Sequence, residues 1–245
     1  MKSTFNNHNL QKFGLLLIYL FPLSLVIGPL VSELIILLVL IIYFRDIKKN
    51  INTFKANKFF LGLFLFYFSI NFSSIFGHDL IHSIKTSVPY IRHIIFCFLV
   101  FILINENKIN LNKYLIFLFL LLFILVIDLL VQFNFGKNII GFEKVGHFRY
   151  GGMFEDELVL GSFLLRISPV FLALLYIKNF KHKNICSAFF LFILIFSTLL
   201  TGERTAFYLS ILFSFLCFLV LQISFKIKFT IIVSILLILV FFLNI

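Results

Sequence analysis

The sequence predicts an all-α, polytopic integral membrane protein, and composition is the first reason for this prediction. Of 245 residues, 62% are hydrophobic, 19% are aromatic and only 13% carry a charge. A water-soluble domain needs more polar surface than this, because its exterior faces solvent. The apolar residues also come in blocks long enough to cross a hydrocarbon core of about 30 Å, which takes roughly 20 helical residues.

Polar or charged segments divide the apolar residues into nine blocks, so we expect about nine transmembrane helices in one helical domain, residues 1–245. The pair Gly28-Pro29 separates the first two blocks and suits a tight hairpin, because it breaks a helix. No small-residue cleavage site follows the first block, which argues against a removed signal peptide. The expected spans are 13–27, 31–44, 59–76, 88–104, 114–130, 158–177, 185–200, 207–223 and 229–245.

Lysine and arginine are unevenly distributed among the segments that join these spans. The amino terminus and the loops after the second, fourth, sixth and eighth spans hold 14 of the 21, whereas the other loops hold 5. Positively charged loops remain on the cytoplasmic side of a membrane. The imbalance therefore predicts a cytoplasmic amino terminus and an external loop at residues 131–157.

The formal net charge of +11 does not indicate a nucleic-acid-binding protein. The basic residues punctuate apolar blocks and form no continuous patch of the kind that a nucleic acid requires. We therefore expect membrane lipids, and no nucleic acid, around this chain.

The five arginines are not distributed like the 16 lysines, of which 13 lie on the expected cytoplasmic side. Arg149 and Arg204 fall in external loops, and Arg92 lies about one turn below the external end of its span. Arg166 lies about nine residues below Glu157, or roughly 13 Å. An ionised group at that depth costs at least ~2.5 kcal/mol without a polar cavity or a partner. This favours a cavity-facing role for Arg166, whereas snorkelling or an ion pair explains Arg92 equally well.

Three consecutive acidic residues, Glu155, Asp156 and Glu157, are expected to open the sixth span from outside. The positive end of the helix dipole accounts for one or two of them. Three in succession cannot share one helical face, so at least one is expected to turn toward the bundle. There it could pair with an arginine, orient an acceptor hydroxyl or act as a base. No histidine spacing supports a metal site, and none is predicted.

The segment 200–206 joins two spans on the expected external side. Gly202 permits an abrupt turn, after which Glu203, Arg204 and Thr205 are expected to start a helix whose free amide groups point outward. This arrangement suits a phosphate group. The alternative is a helix cap with local charge compensation between Glu203 and Arg204.

Near the outer end of the fifth span, Asp128 and Gln132 lie four residues apart and therefore on one helical face. Glu33 lies near the outer end of the second span. Either position could be interfacial, and Asp128 could pair with an arginine.

These residues belong to three stretches of the sequence. The stretches are Asp128-Leu-Leu-Val-Gln132 with Gly136 and Gly141, Arg149-Tyr-Gly-Gly-Met-Phe-Glu-Asp-Glu-Leu-Val-Leu-Gly-Ser162, and Thr201-Gly-Glu-Arg-Thr-Ala206. Together they resemble the O-antigen ligase and O-antigen polymerase family of bacterial envelope glycosyltransferases. The similarity runs through most of the chain. Glu155 stands where the resemblance leads us to expect glycine or another small residue.

The resemblance implies an enzyme of the bacterial inner membrane that transfers glycan from a polyprenyl-pyrophosphate carrier, at the periplasmic face, to a lipid or sugar hydroxyl. The implied mechanism is inverting and needs no metal or other cofactor. Arg204, Arg166 and Arg92 would hold the pyrophosphate, and Asp156 and Glu157 would be catalytic. The supporting residues would be Glu203, Thr205 and Arg149.

The resemblance also implies a longer architecture of about ten to twelve spans, with a large external loop that carries a histidine base. We therefore expect this chain to be the amino-terminal part of such an architecture, or to have a partner chain that supplies the loop. Ligase and polymerase remain equally open. Two alternatives are a transporter or flippase for an anionic lipid or solute, which intramembrane Arg166 would also suit, and a non-catalytic membrane subunit.

Overall fold

The structure, a computed structural model, describes residues 2–77, 79–145, 149–155, 157–178 and 182–220, with side chains from Asn9 onward. The expected ninth span and Asp156 lie outside these residues. Within them the chain is helical, and the only β-type pairing is an isolated bridge between Lys137 and Glu143. The all-α fold class is confirmed for this part of the chain.

The described residues contain eleven α-helices and two short 3₁₀ turns. The helices are α1 (Lys2–Ile27), α2 (Pro29–Ile42), α3 (Phe44–Lys49), α4 (Ile51–Ala56), α5 (Lys58–Ile75), α6 (Leu80–Ser87), α7 (Ile91–Asn105), α8 (Leu111–Phe135), α9 (Leu160–Ile177), α10 (Lys183–Leu200) and α11 (Arg204–Val220). The 3₁₀ turns are Val88–Tyr90 and Gly152–Phe154.

Among the residues that the structure describes, six helical segments are long and apolar enough to cross a membrane, and they make this a multi-pass membrane protein. They are Asn9–Ile27, Lys58–Ile75, Leu80–Asn105, Leu111–Phe135, Leu160–Ile177 and Lys183–Leu200. Two further apolar helices, Pro29–Ile42 and Arg204–Val220, are shorter. The former has 14 residues, about 21 Å of helix, which is less than a hydrocarbon core. The count of nine spans stays a prediction.

The predicted break between the first two spans is confirmed, because α1 ends at Ile27 and α2 begins with Pro29 at its first turn. Proline is suited to that position, where its missing N–H would have no partner in the helix. The fourth span is longer than the sequence indicated. It begins at Leu80, where the Asp79 side chain accepts a hydrogen bond from the His82 N–H, and it continues through the 3₁₀ turn at Pro89.

The described residues group into two compact units that divide after Tyr114. In the first unit, α2 packs against α1 and α7. Its core contains Val39, Leu99 and Leu103, all fully buried. The buried Tyr43 hydroxyl donates a hydrogen bond of 2.7 Å to the Gln11 carbonyl and so ties α2 to α1.

In the second unit, α9, α10 and α11 pack against one another. Leu160 and Leu191 are fully buried there. The hydroxyls of Thr198 and Ser210 hydrogen-bond across α10 and α11 at 2.9 Å, which is a common way to join helices in a membrane. This unit carries most of the residues that the sequence analysis selected.

Candidate anion-binding site

A hollow of about 290 Å³ opens at the turn between α10 and α11. Two of the five arginines of the chain, Arg149 and Arg204, line it, and we call it the arginine hollow. Its remaining lining residues are Thr198, Leu199, Gly202, Glu203 and Phe207. Because a guanidinium group binds anions well, a hollow lined by two arginines is a candidate anion-binding site.

The turn that precedes α11 is as abrupt as the sequence predicted. Gly202 has a φ of 72°, a left-handed conformation that glycine adopts without steric cost. The Thr201 hydroxyl donates to the Thr198 carbonyl at 2.8 Å and accepts from the Glu203 N–H at 3.4 Å. α11 then begins at Arg204, so this side chain and the first amide groups of the helix start from the edge of the hollow.

Glu203 caps a helix that lies far from it in the sequence. Its carboxylate accepts hydrogen bonds from the backbone N–H groups of Gly161 (2.6 Å) and Ser162 (3.1 Å) and from the Ser162 hydroxyl (2.8 Å). The alternative of local charge compensation between Glu203 and Arg204 is not found in the described residues, because the carboxylate is directed to the first turn of α9. A carboxylate at that end of a helix also complements the helix dipole.

Arg149 reaches the hollow through the loop between α8 and α9. The backbone N–H of Tyr150 donates to the Thr201 carbonyl at 3.3 Å, which brings this part of the loop to the end of α10. The Tyr150 side chain is buried, and its ring centroid lies 5.5 Å from that of Phe133. Arg149 was expected to have a supporting role only, and the structure places it with Arg204 in the lining of the hollow.

Asp128 and Gln132 lie on one face of α8, as predicted, and both are 0% exposed. Asp128 accepts hydrogen bonds from the Ile139 N–H at 2.9 Å and from the Asn138 side-chain amide at 3.4 Å. Its partners are therefore loop groups, and the alternative in which it pairs with an arginine is wrong for the described residues.

The acidic run does not open a helix. α9 begins at Leu160 and has no acidic residue in its first turn, so the expectation that Glu155 and Glu157 sit at the helix start is wrong. They lie exposed in a tight turn, in which the Glu157 N–H donates to the Phe154 carbonyl at 3.0 Å. Glu203 takes the place at the helix end that these carboxylates were expected to fill.

Arg166 is exposed on α9 and does not line the arginine hollow. Gly161 faces the turn that carries Glu203, because a Cβ atom at Gly161 would lie 2.8 Å from the Thr201 hydroxyl oxygen and 3.1 Å from a Glu203 carboxylate oxygen. At 3.6 residues per turn, Arg166 is rotated by about 140° from that face. The two arginines that the sequence analysis ranked first, Arg204 and Arg166, therefore do not share this hollow.

Arg92 is paired within the first unit. Its Nη2 donates to Glu33 Oε1 at 2.8 Å, and its Nε lies 2.7 Å from Glu33 Oε2. His93 Nε2 lies 3.6 Å from the same carboxylate. The ion-pair explanation that the sequence left open for Arg92 therefore accounts for this residue, since its charge is compensated by Glu33.

Among the five arginines, ion pairing in the described residues distinguishes only Arg92, because Arg45 also forms no ion pair there. Among the described residues, every carboxylate except those of Glu155 and Glu157 has an ion-pair or backbone N–H partner. The side chains of Arg149, Arg166 and Arg204 form no ion pair within that part of the chain. Because the Glu203 carboxylate is engaged by α9, the two guanidinium groups of the hollow keep their capacity to bind an anion.

Thr205, the remaining supporting residue, is exposed in the first turn of α11 and does not line the hollow. Comparison with known proteins adds no assignment: no protein-family model matches the chain, and no curated protein or solved structure matches it.

Proposed function

We propose that this protein is a membrane glycosyltransferase of the O-antigen ligase and polymerase type. It would transfer or polymerise glycan from a polyprenyl-pyrophosphate carrier at the periplasmic face of a bacterial inner membrane. The observation that carries the proposal is the arginine hollow, which both Arg149 and Arg204 line at the turn between α10 and α11.

The groups that line the arginine hollow are suited to binding a diphosphate. A guanidinium group presents a planar fork of donors that binds phosphate oxygens in a bidentate manner. Two such groups can engage the two phosphates of a pyrophosphate, and the first amide groups of α11 add positive potential beside Arg204. When the bond between sugar and carrier breaks, negative charge develops on the departing diphosphate. Donors already in place would stabilise that charge.

An apolar groove of about 340 Å³ supports a lipid-linked donor. It lies on α8, α9 and α10, and its lining includes Ser197, which is followed by Thr198 of the arginine hollow. Seven phenylalanines line it, namely Phe119, Phe123, Phe171, Phe189, Phe190, Phe192 and Phe196. A hydrocarbon chain in this groove would lie along α10, the helix whose carboxyl end borders the arginine hollow.

The acceptor would supply a hydroxyl oxygen that attacks the anomeric carbon as the bond to the diphosphate breaks. The hydroxyl proton would pass to a carboxylate, and the configuration at the anomeric carbon would invert. Glu157 is our candidate base, because it is exposed, has no ion-pair partner in the described chain, and follows Arg149 in the same loop. Asp156 stays a second candidate that lies outside the described residues.

The compartment that the arginine hollow faces depends on the orientation of the chain in the membrane. With a cytoplasmic amino terminus, as the distribution of lysine and arginine predicts, the α10–α11 turn and the α8–α9 loop both belong to the external side. The hollow would then face the compartment in which the carrier presents its glycan. We retain the nine-span count and the possibility of a partner chain as parts of this proposal.

The test is glycan transfer in proteoliposomes that contain the purified protein, a polyprenyl-pyrophosphate-linked oligosaccharide and a glycan acceptor. We expect Arg204→Ala and Arg149→Ala each to lower the rate by about 10²-fold or more, as the loss of a charge-stabilising donor does in other enzymes. Arg45→Ala removes an exposed arginine from α3, outside the hollow, and should leave the rate unchanged. Equal rates in all variants would refute the assignment, and movement of the labelled lipid across the bilayer without transfer would support the transporter alternative.

A further inference from the structure

We infer that Asp128, Gln132 and Asn138 are positioning residues that hold Arg149 in the arginine hollow. We call these three buried side chains the loop clamp. The inference rests on the proposed function in one respect, namely that the hollow binds a diphosphate. Its structural evidence is the hydrogen bonding of the α8–α9 loop.

Asn138 joins the two limbs of the loop. Its side-chain oxygen accepts from the N–H groups of Gly141 at 2.8 Å and Phe142 at 2.7 Å, both on the limb that leaves α8. Its side-chain nitrogen donates to the Gly152 carbonyl at 2.9 Å, on the limb that approaches α9. Because Asn138 is only 5% exposed, water cannot readily replace these partners.

Gln132 makes the same connection from α8. Its side-chain oxygen accepts from the Gly152 N–H at 2.9 Å, and its nitrogen donates to the Phe142 carbonyl at 3.3 Å. Asp128, one turn earlier on the same face, accepts from the Ile139 N–H and from Asn138. Both backbone groups of Gly152 and both limbs of the loop are therefore bound to one buried polar cluster.

Hydrogen bonds of the residues that follow Arg149 fix the position of its backbone. Tyr150 is bonded through its N–H to Thr201, and Gly152 is bonded through its N–H and carbonyl to the loop clamp. Gly152 has a φ of 58°, and an added Cβ atom would lie 2.9 Å from Leu160 and 3.2 Å from the Asp128 carboxylate. The backbone that follows Arg149 is thus fixed at two points, Tyr150 and Gly152, beside the hollow that Arg149 lines.

A shift of the loop would leave buried polar groups without partners. A buried donor or acceptor that loses its hydrogen bond is costly, and a buried carboxylate is more so. The cluster is therefore expected to open as a unit, because each of its bonds depends on the same position of the loop.

The first experiment is a double-mutant cycle on pyrophosphate affinity, measured by calorimetry at a temperature at which every variant is folded. We expect Gln132→Leu and Arg149→Ala each to weaken binding about 10-fold, the equivalent of one charge-assisted hydrogen bond. Combined, they should weaken it by no more than about 10-fold, because Gln132 acts through Arg149. Gln132→Leu combined with Arg204→Ala should instead weaken pyrophosphate binding by about 100-fold, because the two changes act independently. Leu125→Ala, a fully buried apolar change on α8, controls for lost stability and should leave affinity unchanged.

The second experiment needs no ligand. In a protein with Cys97, Cys186 and Cys217 replaced by serine, Arg149→Cys and Arg204→Cys are joined by a short bismaleimide. We expect Gln132→Leu or Asn138→Leu to slow cross-linking at least about 5-fold, while Leu125→Ala leaves the rate unchanged. An unchanged rate in both clamp variants would overturn the inference. If the wild-type protein binds no pyrophosphate, the proposed function fails, and cross-linking alone decides whether the clamp positions residue 149.

Discussion

Glu155 has a backbone conformation that is unfavourable for any residue other than glycine. Its φ is 55° and its ψ is −118°, and the Glu157 N–H donates to the Phe154 carbonyl at 3.0 Å beside it. A positive φ of this kind is rare for residues that carry a Cβ atom, whereas glycine adopts it readily. The resemblance to the glycosyltransferase family led us to expect a small residue here, and the turn gives the physical reason.

We predict that Glu155→Gly stabilises the protein, because it removes a strained left-handed conformation that costs about 1 kcal/mol or more. For a chain of this size the thermal unfolding midpoint in detergent should rise by about 2–4 °C. Glu157→Gly is the matched control, since Glu157 has no positive φ, and it should lower the midpoint or leave it unchanged. A lower midpoint for Glu155→Gly would contradict the described turn.

Among the helices, the contact of α9 with the start of α11 depends on the absence of a side chain at Gly161. A Cβ atom there would lie 2.8 Å from the Thr201 hydroxyl oxygen, 3.1 Å from the Glu203 carboxylate and 3.2 Å from the Ala206 methyl group. Ala206 is buried, and Glu203 holds the first amide groups of α9. There is consequently little room for the added atom to be accommodated.

Gly161→Ala is therefore expected to destabilise the protein by about 1–3 kcal/mol, the usual cost of overpacking. The control is Gly62→Ala on α5, where no atom lies within 4 Å of the added methyl group. That change should be neutral or stabilising by about 0.5–1 kcal/mol, because alanine favours a helix over glycine. Urea unfolding in mixed micelles would measure the free energy of unfolding of both variants. Equal changes in that free energy would mean that α9 and α11 are not in close contact.

The sequence predicted the apolar helices well but not how their ends are capped. Block lengths were sufficient for α5 and α10, whose bounds follow local hydrophobicity, whereas α8 begins three residues before and ends five residues after the expected span. The cap of α9 was missed because Glu203 comes from the turn before α11, and no local pattern shows that. The role of Arg149 was underestimated for the same reason, since it depends on the hydrogen bond between Tyr150 and Thr201. By contrast, the position of Arg166 away from the Gly161 face follows from helical periodicity alone.

For the whole molecule, orientation in the membrane is the next prediction. In a protein without native cysteines, Lys48→Cys lies on α3, on the expected cytoplasmic side, and Lys144→Cys lies in the α8–α9 loop, on the expected external side. Both positions are exposed. We expect a membrane-impermeant maleimide to label Lys144→Cys in intact cells and Lys48→Cys only after permeabilisation. The reverse pattern would place the arginine hollow in the cytoplasm and exclude a periplasmic transferase.

The proposed function depends on the binding of a diphosphate by two arginines that no carboxylate of the described chain neutralises. Titration of the purified protein with pyrophosphate, at low and fixed ionic strength, measures this directly. We predict that wild-type protein binds, that Arg149→Ala and Arg204→Ala each weaken binding by about 10-fold or more, and that Arg45→Ala binds like wild type. Absence of binding by the wild type, or the same affinity in all four proteins, would contradict the account.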